Sequence, residues 1–345
     1  MKKVLTVVLA LVMSLSLAAC GSSSSSTAAN SPAASNTPAS STAPSVIIKL
    51  GHGQTEAHPY HLGAAKFAEL VNTYTNGSVK VDIYPNGTLG AERDMVEGVS
   101  MGTIDACITT NAPLTNFDAN FNVFEFPYLF ETEEEAHTIM DSDIGQNLLA
   151  ELQDQGIIGL CYFENGFRNV TNNTKEIKTV EDLAGLKIRT MESEIHLASF
   201  TAMGANPTPM SWGDVYTALQ QGTIDGQENP AMAIVDGKIY EVNKYLSLTQ
   251  HFYSPAELVL SKSLFDKLTP EQQQAVQKAA DEASAYQREQ AYEFNTGKID
   301  ELKNDGMIIT EVDKSSFRAA CESVYEKYDA AYGESIKAIQ AMLGR

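Results

Sequence analysis

The tetrapeptide Gly-Thr-Ile-Asp occurs twice in this chain, at residues 102–105 and 222–225. In both places it follows a helical pattern and leads into an apolar run. A glycine in this position lets a helix close in the left-handed conformation at little cost. Thr and Ile then enter a buried strand, with Asp105 or Asp225 marking where it emerges. Four residues match easily by chance, so the shared helix-to-strand context carries the argument for a repeat of two α/β units. Two such units facing each other bring two sets of strand ends to one crevice, and open α/β sheets bind ligands just beyond such ends.

The flanking sequence supports this reading. "VIIKLG" predicts a strand, and residues 59–75 carry Leu62, Ala65, Phe67, Leu70, Val71 and Tyr74 near a helical period, up to Asn76-Gly77. "VKVDIY" alternates as a strand, "PNGTLG" turns, and residues 91–101 predict a second helix, giving β-α-β-α-β. The second half repeats the order with the strand "GLKIRT" and helices over 195–203 and 211–221. From Pro270 the stretch "PEQQQAVQKAADEASAYQREQAYEFNTGKIDEL" predicts one helix of about 30 residues, spanning about 45 Å and long enough to brace both units. A short strand "GMIIT" and a final helix from about Ser315 complete the chain.

The first 45 residues have a different texture. Met1-Lys2-Lys3 precedes an apolar run over residues 4–19, shorter than the roughly 20 residues a membrane span needs. Residues 1–20 read as a secretory signal peptide, and "LAAC" resembles the lipobox of bacterial lipoproteins, which makes Cys20 the lipidated N-terminus of an exported protein anchored to the cell membrane by lipid alone. Residues 21–45 are nearly all Ser, Ala, Thr, Asn and Pro and predict a disordered tether. Without Lys2 and Lys3, the 24 Lys and Arg fall to 22 against 44 Asp and Glu, a balance that indicates no nucleic-acid partner. Cys107, Cys161 and Cys321 remain, an odd number that rules out a full disulfide framework; they read as buried small hydrophobes, with one bonded pair as the alternative.

Several stretches, "YPNGTLGAERDM", "FEFPYLF", "GFRNVTN", "EDLAGLKIRT" and above all "MGANPTPMSWGDVYTALQQGTIDGQENP", resemble the solute-binding subunit of tripartite ATP-independent periplasmic (TRAP) transporters, dicarboxylate-binding type, over residues 46–344. The resemblance implies an α/β, two-lobed periplasmic-binding-protein-like fold with a hinge, a long lobe-spanning helix and closure on ligand. It implies delivery of the ligand to a two-subunit membrane partner driven by an ion gradient; a monomer with no cofactor is expected. The lobes are expected at 46–165 with about 253–295, and 166–252 with about 296–345.

Arg189 ends the "LKIR" strand just before a helix start, where a guanidinium and free N–H groups suit one anion. The resemblance makes it the bidentate clamp on a ligand carboxylate, and makes Arg168 a second contact, with pairing to Glu164 or a carbonyl as its structural alternative. Asn229 precedes Pro230 in the pattern of a helix N-cap, and the resemblance directs it at the ligand. Trp212, the sole tryptophan, is expected either against the ligand's carbon skeleton or in the core. His52, Asn111, Glu192 and His196 are candidates from their position near strand ends. The spacing of His52, His58 and His61 matches no zinc motif, so no metal site is assigned.

A binding protein for a small organic acid is therefore expected, not an enzyme: no Gly-x-Ser-x-Gly, His-Glu-x-x-His or phosphate-loop pattern occurs. An exported hydrolase or metal-dependent enzyme, and a ligand-sensing subunit of the same fold, are the alternatives. The polar candidates favour a sugar acid, such as a uronate or keto-gulonate, over a C4-dicarboxylate.

Overall fold

Nine strands form one mixed sheet in the computed structural model, which describes residues 46–345. The signal segment 1–20, Cys20 and the tether 21–45 lie outside the described residues. The strands are β1 (Val46–Gly51), β2 (Val79–Tyr84), β3 (Ala106–Thr110), β4 (Ile157–Asn172), β5 (Lys187–Thr190), β6 (Asn206–Pro209), β7 (Gly226–Asn229), β8 (Tyr245–Ser261) and β9 (Ile308–Thr310). Their order is β2-β1-β3-β8-β4-β7-β5-β6, with β9 pairing β8. β1 pairs in parallel with β2 and β3, and β5 pairs in parallel with β6 and β7, so each lobe is built on one parallel unit. The antiparallel pair β4 and β8, 16 and 17 residues long, joins the lobes. β8 pairs with β3 through residues 256–260, and β4 pairs with β7 through 169–172, so the crossing lies between these segments.

Both Gly-Thr-Ile-Asp copies do the same work. Gly102 and Gly222 have φ of 74° and 69°, and the following N–H groups of Thr103 and Thr223 close the helices by donating to Gly98 O at 2.8 Å and Ala218 O at 3.0 Å. That turn consumes Gly, Thr and Ile, so the strands start only after the aspartates. Asp105 and Asp225 thus mark strand entrances, which corrects the expected exits. Asp105 Oδ2 accepts from Lys49 N of β1 at 2.9 Å, and Asp225 Oδ2 accepts from Lys187 N of β5 at 2.8 Å. The repeat therefore ties the last strand of each unit to its first.

The helix from Pro270 is shorter than expected. It ends at Asn295, Gly297 takes φ of 80°, and a second helix runs over Lys298–Asn304. "NTG" ends it because glycine there adopts the left-handed conformation that interrupts a helix. Its 26 residues still span about 39 Å, packing along helix Pro59–Tyr74 and reaching helix Ala231–Asp236. At the crossing, its Gln287 accepts from Glu164 N at 2.7 Å and donates to Glu164 O at 2.9 Å, as a strand neighbour would. The final helix, Lys314–Met342, also touches both lobes: Phe317 packs with Ile188 and Phe200, and Ile336 and Ile339 pack with Phe121, Phe124 and Phe126.

Strand β6 had no sequence signal, since "NPTP" lacks N–H groups at Pro207 and Pro209. It is tolerated because β6 is the outermost strand and pairs only with β5. Cys107, Cys161 and Cys321 are buried and unbonded. Among the described residues no helix is long and apolar enough to cross a membrane.

Candidate functional site

The C-terminal ends of the two parallel units open on one cavity of about 400 Å³. From the first unit come Gly53 after β1, the turn at Asn86 and Gly87 after β2, helix residues Glu92 and Arg93, and Pro113 after β3. From the second come Arg189, Met191 and Glu192 at the end of β5, and 210–214 after β6, where helix Trp212–Gln220 begins. The turn after β2 is fixed to the segment that follows β1, with Asn86 N donating to Gln54 O at 2.8 Å and Gly87 N to His52 O at 2.9 Å. Two contacts link the cavity's sides: Arg93 Nη1 lies 3.7 Å from Glu192 Oε2, and Thr55 N donates to Asp236 Oδ2 at 3.1 Å while its hydroxyl meets Oδ1.

Arg189 is the cavity's exceptional side chain. It is only 2% exposed, its Nε donates to Met210 O at 2.7 Å, its Nη2 reaches the same carbonyl, and Nη1 lies 3.6 Å from Met191 Sδ. No carboxylate stands within ion-pair distance of it among the described residues. Burial pulls its pKa down to about 10, opposed by Glu228 and reinforced by Arg168. Arg168 is the opposite case: fully buried, its Nε and Nη2 meet Glu228 Oε2 and Oε1 at 2.5 and 2.9 Å, and Nη2 also donates to Glu228 O at 2.8 Å. Only its Nη1 has no partner. Burial alone would raise the Glu228 carboxyl, but Arg168 and a hydrogen bond from His251 hold it well below the usual carboxylate range. Glu92 accepts from Thr110 Oγ1 at 2.6 Å, and burial pushes its carboxyl upward against that bond.

A family model described as bacterial extracellular solute-binding protein, family 7, matches residues 50–331. The chain belongs to this family. The 2,3-diketo-L-gulonate-binding periplasmic protein YiaO of Escherichia coli K12 is 39% identical over 274 residues, covering 79% of this chain and 84% of that protein. A TRAP periplasmic solute-binding protein from Polaromonas sp. JS666, solved with D-erythronate, is 42% identical with a TM-score of 0.84, covering 86% of this chain and 98% of that one. The sugar acid binding protein DctPAm of Advenella mimigardefordensis, solved with galactonate, is 34% identical with a TM-score of 0.82, covering 85% and 96%. This family 7 protein is thus a TRAP-type solute-binding subunit with the two-lobed α/β fold.

Of the residues singled out from the sequence, Arg189, Trp212 and Glu192 line the cavity. Arg168 pairs with the Glu228 carboxylate and the Glu228 carbonyl, so of the structural alternative the carbonyl is met and the acid is Glu228 in place of Glu164. Asn229 is not an N-cap: it is the last residue of β7, opposite Asn169, and Pro230, in extended conformation, caps the helix starting at Ala231. Its Nδ2 donates to Gln227 Oε1 at 2.7 Å. His52, Asn111 and His196 do not line the cavity. His52 Nε2 lies 3.1 Å from His61 Nδ1, and its Nδ1 accepts from Gln54 N at 3.3 Å. Asn111 Nδ2 and His196 Nε2 each stand 2.5 Å from the Glu125 carboxylate, and the His196 ring stacks on Phe252 at 4.0 Å. His58 caps helix Pro59–Tyr74 by accepting from Tyr60 N at 3.1 Å.

Glu92 and Arg93 were missed, yet the repeat contained the signal. Glu92 and Trp212 are each the first residue of the helix that ends at a Gly-Thr-Ile-Asp copy, ten positions before its glycine. Mapping one copy onto the other places Glu92 opposite Trp212 at the cavity.

Burial lowers both His52 and His58 from 6.5 to about 3, with His61 and then His58 adding to the effect at His52. Below 6.5 the unfolded chain takes up protons that the folded chain refuses until about 3, so stability is full above that window and falls with pH inside it. Each group contributes at most about 1.4 kcal/mol per pH unit. His58→Asn keeps a capping acceptor and removes one titration. Urea unfolding between pH 4 and 6 should show a shallower loss of stability in the variant; an unchanged slope contradicts the assignment.

Proposed function

We propose that this protein captures a hydroxylated monocarboxylate, a sugar acid, between its lobes and delivers it to the membrane subunits of a TRAP transporter. The observation that carries the reading is Arg189: a guanidinium buried at the cavity wall with a carbonyl and a thioether as neighbours and, among the described residues, no acid within ion-pair distance. A buried charge needs a matched counter-charge, and the planar fork of arginine suits a carboxylate. Arg168 is already neutralised by Glu228, which favours one ligand carboxylate over the two of a C4-dicarboxylate. Glu92, Glu192 and Asp214 line the same space and supply acceptors for hydroxyls. The relatives with erythronate, galactonate and diketogulonate bind acids of this chemistry.

In this reading Arg189 clamps the carboxylate, Trp212 walls the carbon skeleton and Glu192 takes a hydroxyl. Arg168 and Asn111 offer their unpartnered Nη1 and Oδ1. His52 meets His61, His196 meets Glu125 through Nε2 and Asn229 donates to Gln227, so these three are positioning residues in this reading. The lobes, 46–165 with about 253–295 and 166–252 with about 296–345, close on the ligand, which is released chemically unchanged. Residues 1–20 direct export, and lipidated Cys20 with the 21–45 tether holds a monomer at the outer face of the cell membrane.

Truncating one partner of a buried charge pair costs about 2 to 5 kcal/mol, so Arg189→Ala should weaken binding by roughly 30-fold to several thousandfold. Arg189→Lys should recover little, because lysine loses the fork. Titrating protein without residues 1–20 against aldonates, hexuronates, keto-gulonate, C4-dicarboxylates and neutral sugars, with Trp212 fluorescence as the signal, should give saturation with sugar acids only. Saturation by neutral sugars, or full affinity in Arg189→Ala with intact circular dichroism, sinks the reading.

Anchoring is tested separately. Cys20→Ser should move the protein from the membrane fraction to the soluble one; unchanged fractionation contradicts lipid attachment.

A further inference from the structure

Of the two contacts that link the cavity's sides, one is weak. Arg93 and Glu192 stand 3.7 Å apart with side chains 53% and 35% exposed, and solvent screens such a pair until it contributes little. Thr55 and Asp236 are built differently. Thr55 lies in the segment that follows β1, and Asp236 is the last residue of helix Ala231–Asp236, which follows β7 in the other unit. Asp236 Oδ2 accepts from Thr55 N at 3.1 Å and Oδ1 accepts from the Thr55 hydroxyl, so two donors of one residue meet both oxygens of one carboxylate. The same hydroxyl accepts from Ala57 N at 3.3 Å, which turns its proton toward Asp236. Hydrogen bonds to a carboxylate are roughly twice as strong as neutral ones, and both residues are half-buried, which limits screening.

The pair sits at the cavity's edge without lining it. On the first side Gly53, two residues before Thr55, is part of the wall. On the second, Gly237 follows Asp236, and a Cβ there would stand 2.4 Å from Cζ2 of Trp212, which lines the cavity. With φ of −80°, Gly237 needs no glycine for its backbone; the approach of the indole ring explains the residue. The ring that walls the ligand space therefore rests on the residue next to the Asp236 carboxylate. A ligand that fixes the ring also fixes the backbone that presents Asp236 to Thr55.

We propose that Thr55 and Asp236 form an interlobe latch that sets how long a captured ligand is held. The proposal rests on capture of a sugar acid between the lobes and adds the residues that govern its release. The latch joins the lobes and leaves the ligand untouched, so both are positioning residues. It slows the dissociation of every ligand alike and leaves selectivity to Arg189 and the cavity wall. Affinity differences among variants of one interface lie mostly in dissociation.

Stopped-flow release of D-galactonate and D-erythronate from the protein lacking residues 1–20, followed by Trp212 fluorescence, tests it. Asp236→Ala should speed release of both acids by the same factor, about tenfold, with association little changed. Thr55→Val keeps the shape and the N–H but loses the hydroxyl, and should speed release about threefold. The double variant should release no faster than Asp236→Ala, because residues in one contact are not additive. Ligand-free melting should match the unaltered protein, since open lobes do not make the contact; a lower melting temperature in Asp236→Ala would overturn the latch in favour of a pair that supports the fold. Unchanged release from Asp236→Ala, different factors for the two acids, or effects that multiply in the double variant also overturn it, while the Arg189 clamp stands. If only one acid binds, the increase and its non-additivity on that acid decide. Binding of neither acid overturns the sugar-acid reading, and the latch with it.

Discussion

Two neighbouring strands, β4 and β8, carry one hydrogen-bonded sheet from lobe to lobe, and the remaining elements take their places from that pair. Because β8 accepts β3 on one side and β4 accepts β7 on the other, the two parallel units present their C-terminal ends to a common gap. The ladder is irregular where it crosses. Arg168 stands opposite Phe252 but Val170 opposite Ser247, so residues 248–251 bulge out of the pairing, and Gly166 and Gln250 take φ of 106° and 44°. A bulge of this kind bends a strand and raises its local twist. The Arg168–Glu228–His251 cluster lies at this junction and ties β4, β7 and β8 together.

Two buried guanidiniums in one protein make a direct comparison. Breaking a buried ion pair by removing one partner costs about 3 to 5 kcal/mol, so Arg168 and Glu228 are held together as a structural unit. Arg189 has the same burial without the acid. The chain as a whole carries 44 acidic against 24 basic residues, so an anion is attracted to Arg189 locally and not by the protein's net field. Screening limits that field to a Debye length of about 8 Å at physiological salt. Selectivity for an acid therefore belongs to the cavity's own donors, and the acids that surround it limit how much negative charge a ligand can bring.

The sequence made the order of both parallel units legible, because helix periods and the two Gly-Thr-Ile-Asp junctions are local signals. Arg189 and Glu192 were legible as cavity residues because they sit at a strand end, and Trp212 through the resemblance alone. The long strands β4 and β8 were not, since their burial depends on partners far away in the chain. "NPTP" was hidden because two prolines argue against a strand until its edge position is known. His52 and His196 are ligand candidates from position and Asn229 from the resemblance, and only side-chain geometry shows their contacts with His61, Glu125 and Gln227. Arg168's choice of Glu228 over Glu164 is equally non-local, since it is fixed by the β4–β7 pairing.

The central claim is that Arg189 is completed by the carboxylate of a hydroxylated acid. The most direct measurement is native mass spectrometry of the exported protein purified without added ligand, followed by release and identification of the bound molecule. The account predicts one bound monocarboxylic acid with several hydroxyls, present on the unaltered protein and absent from Arg189→Ala. A neutral sugar, an amine or a metal ion as the retained species, bound equally by both proteins, would contradict it.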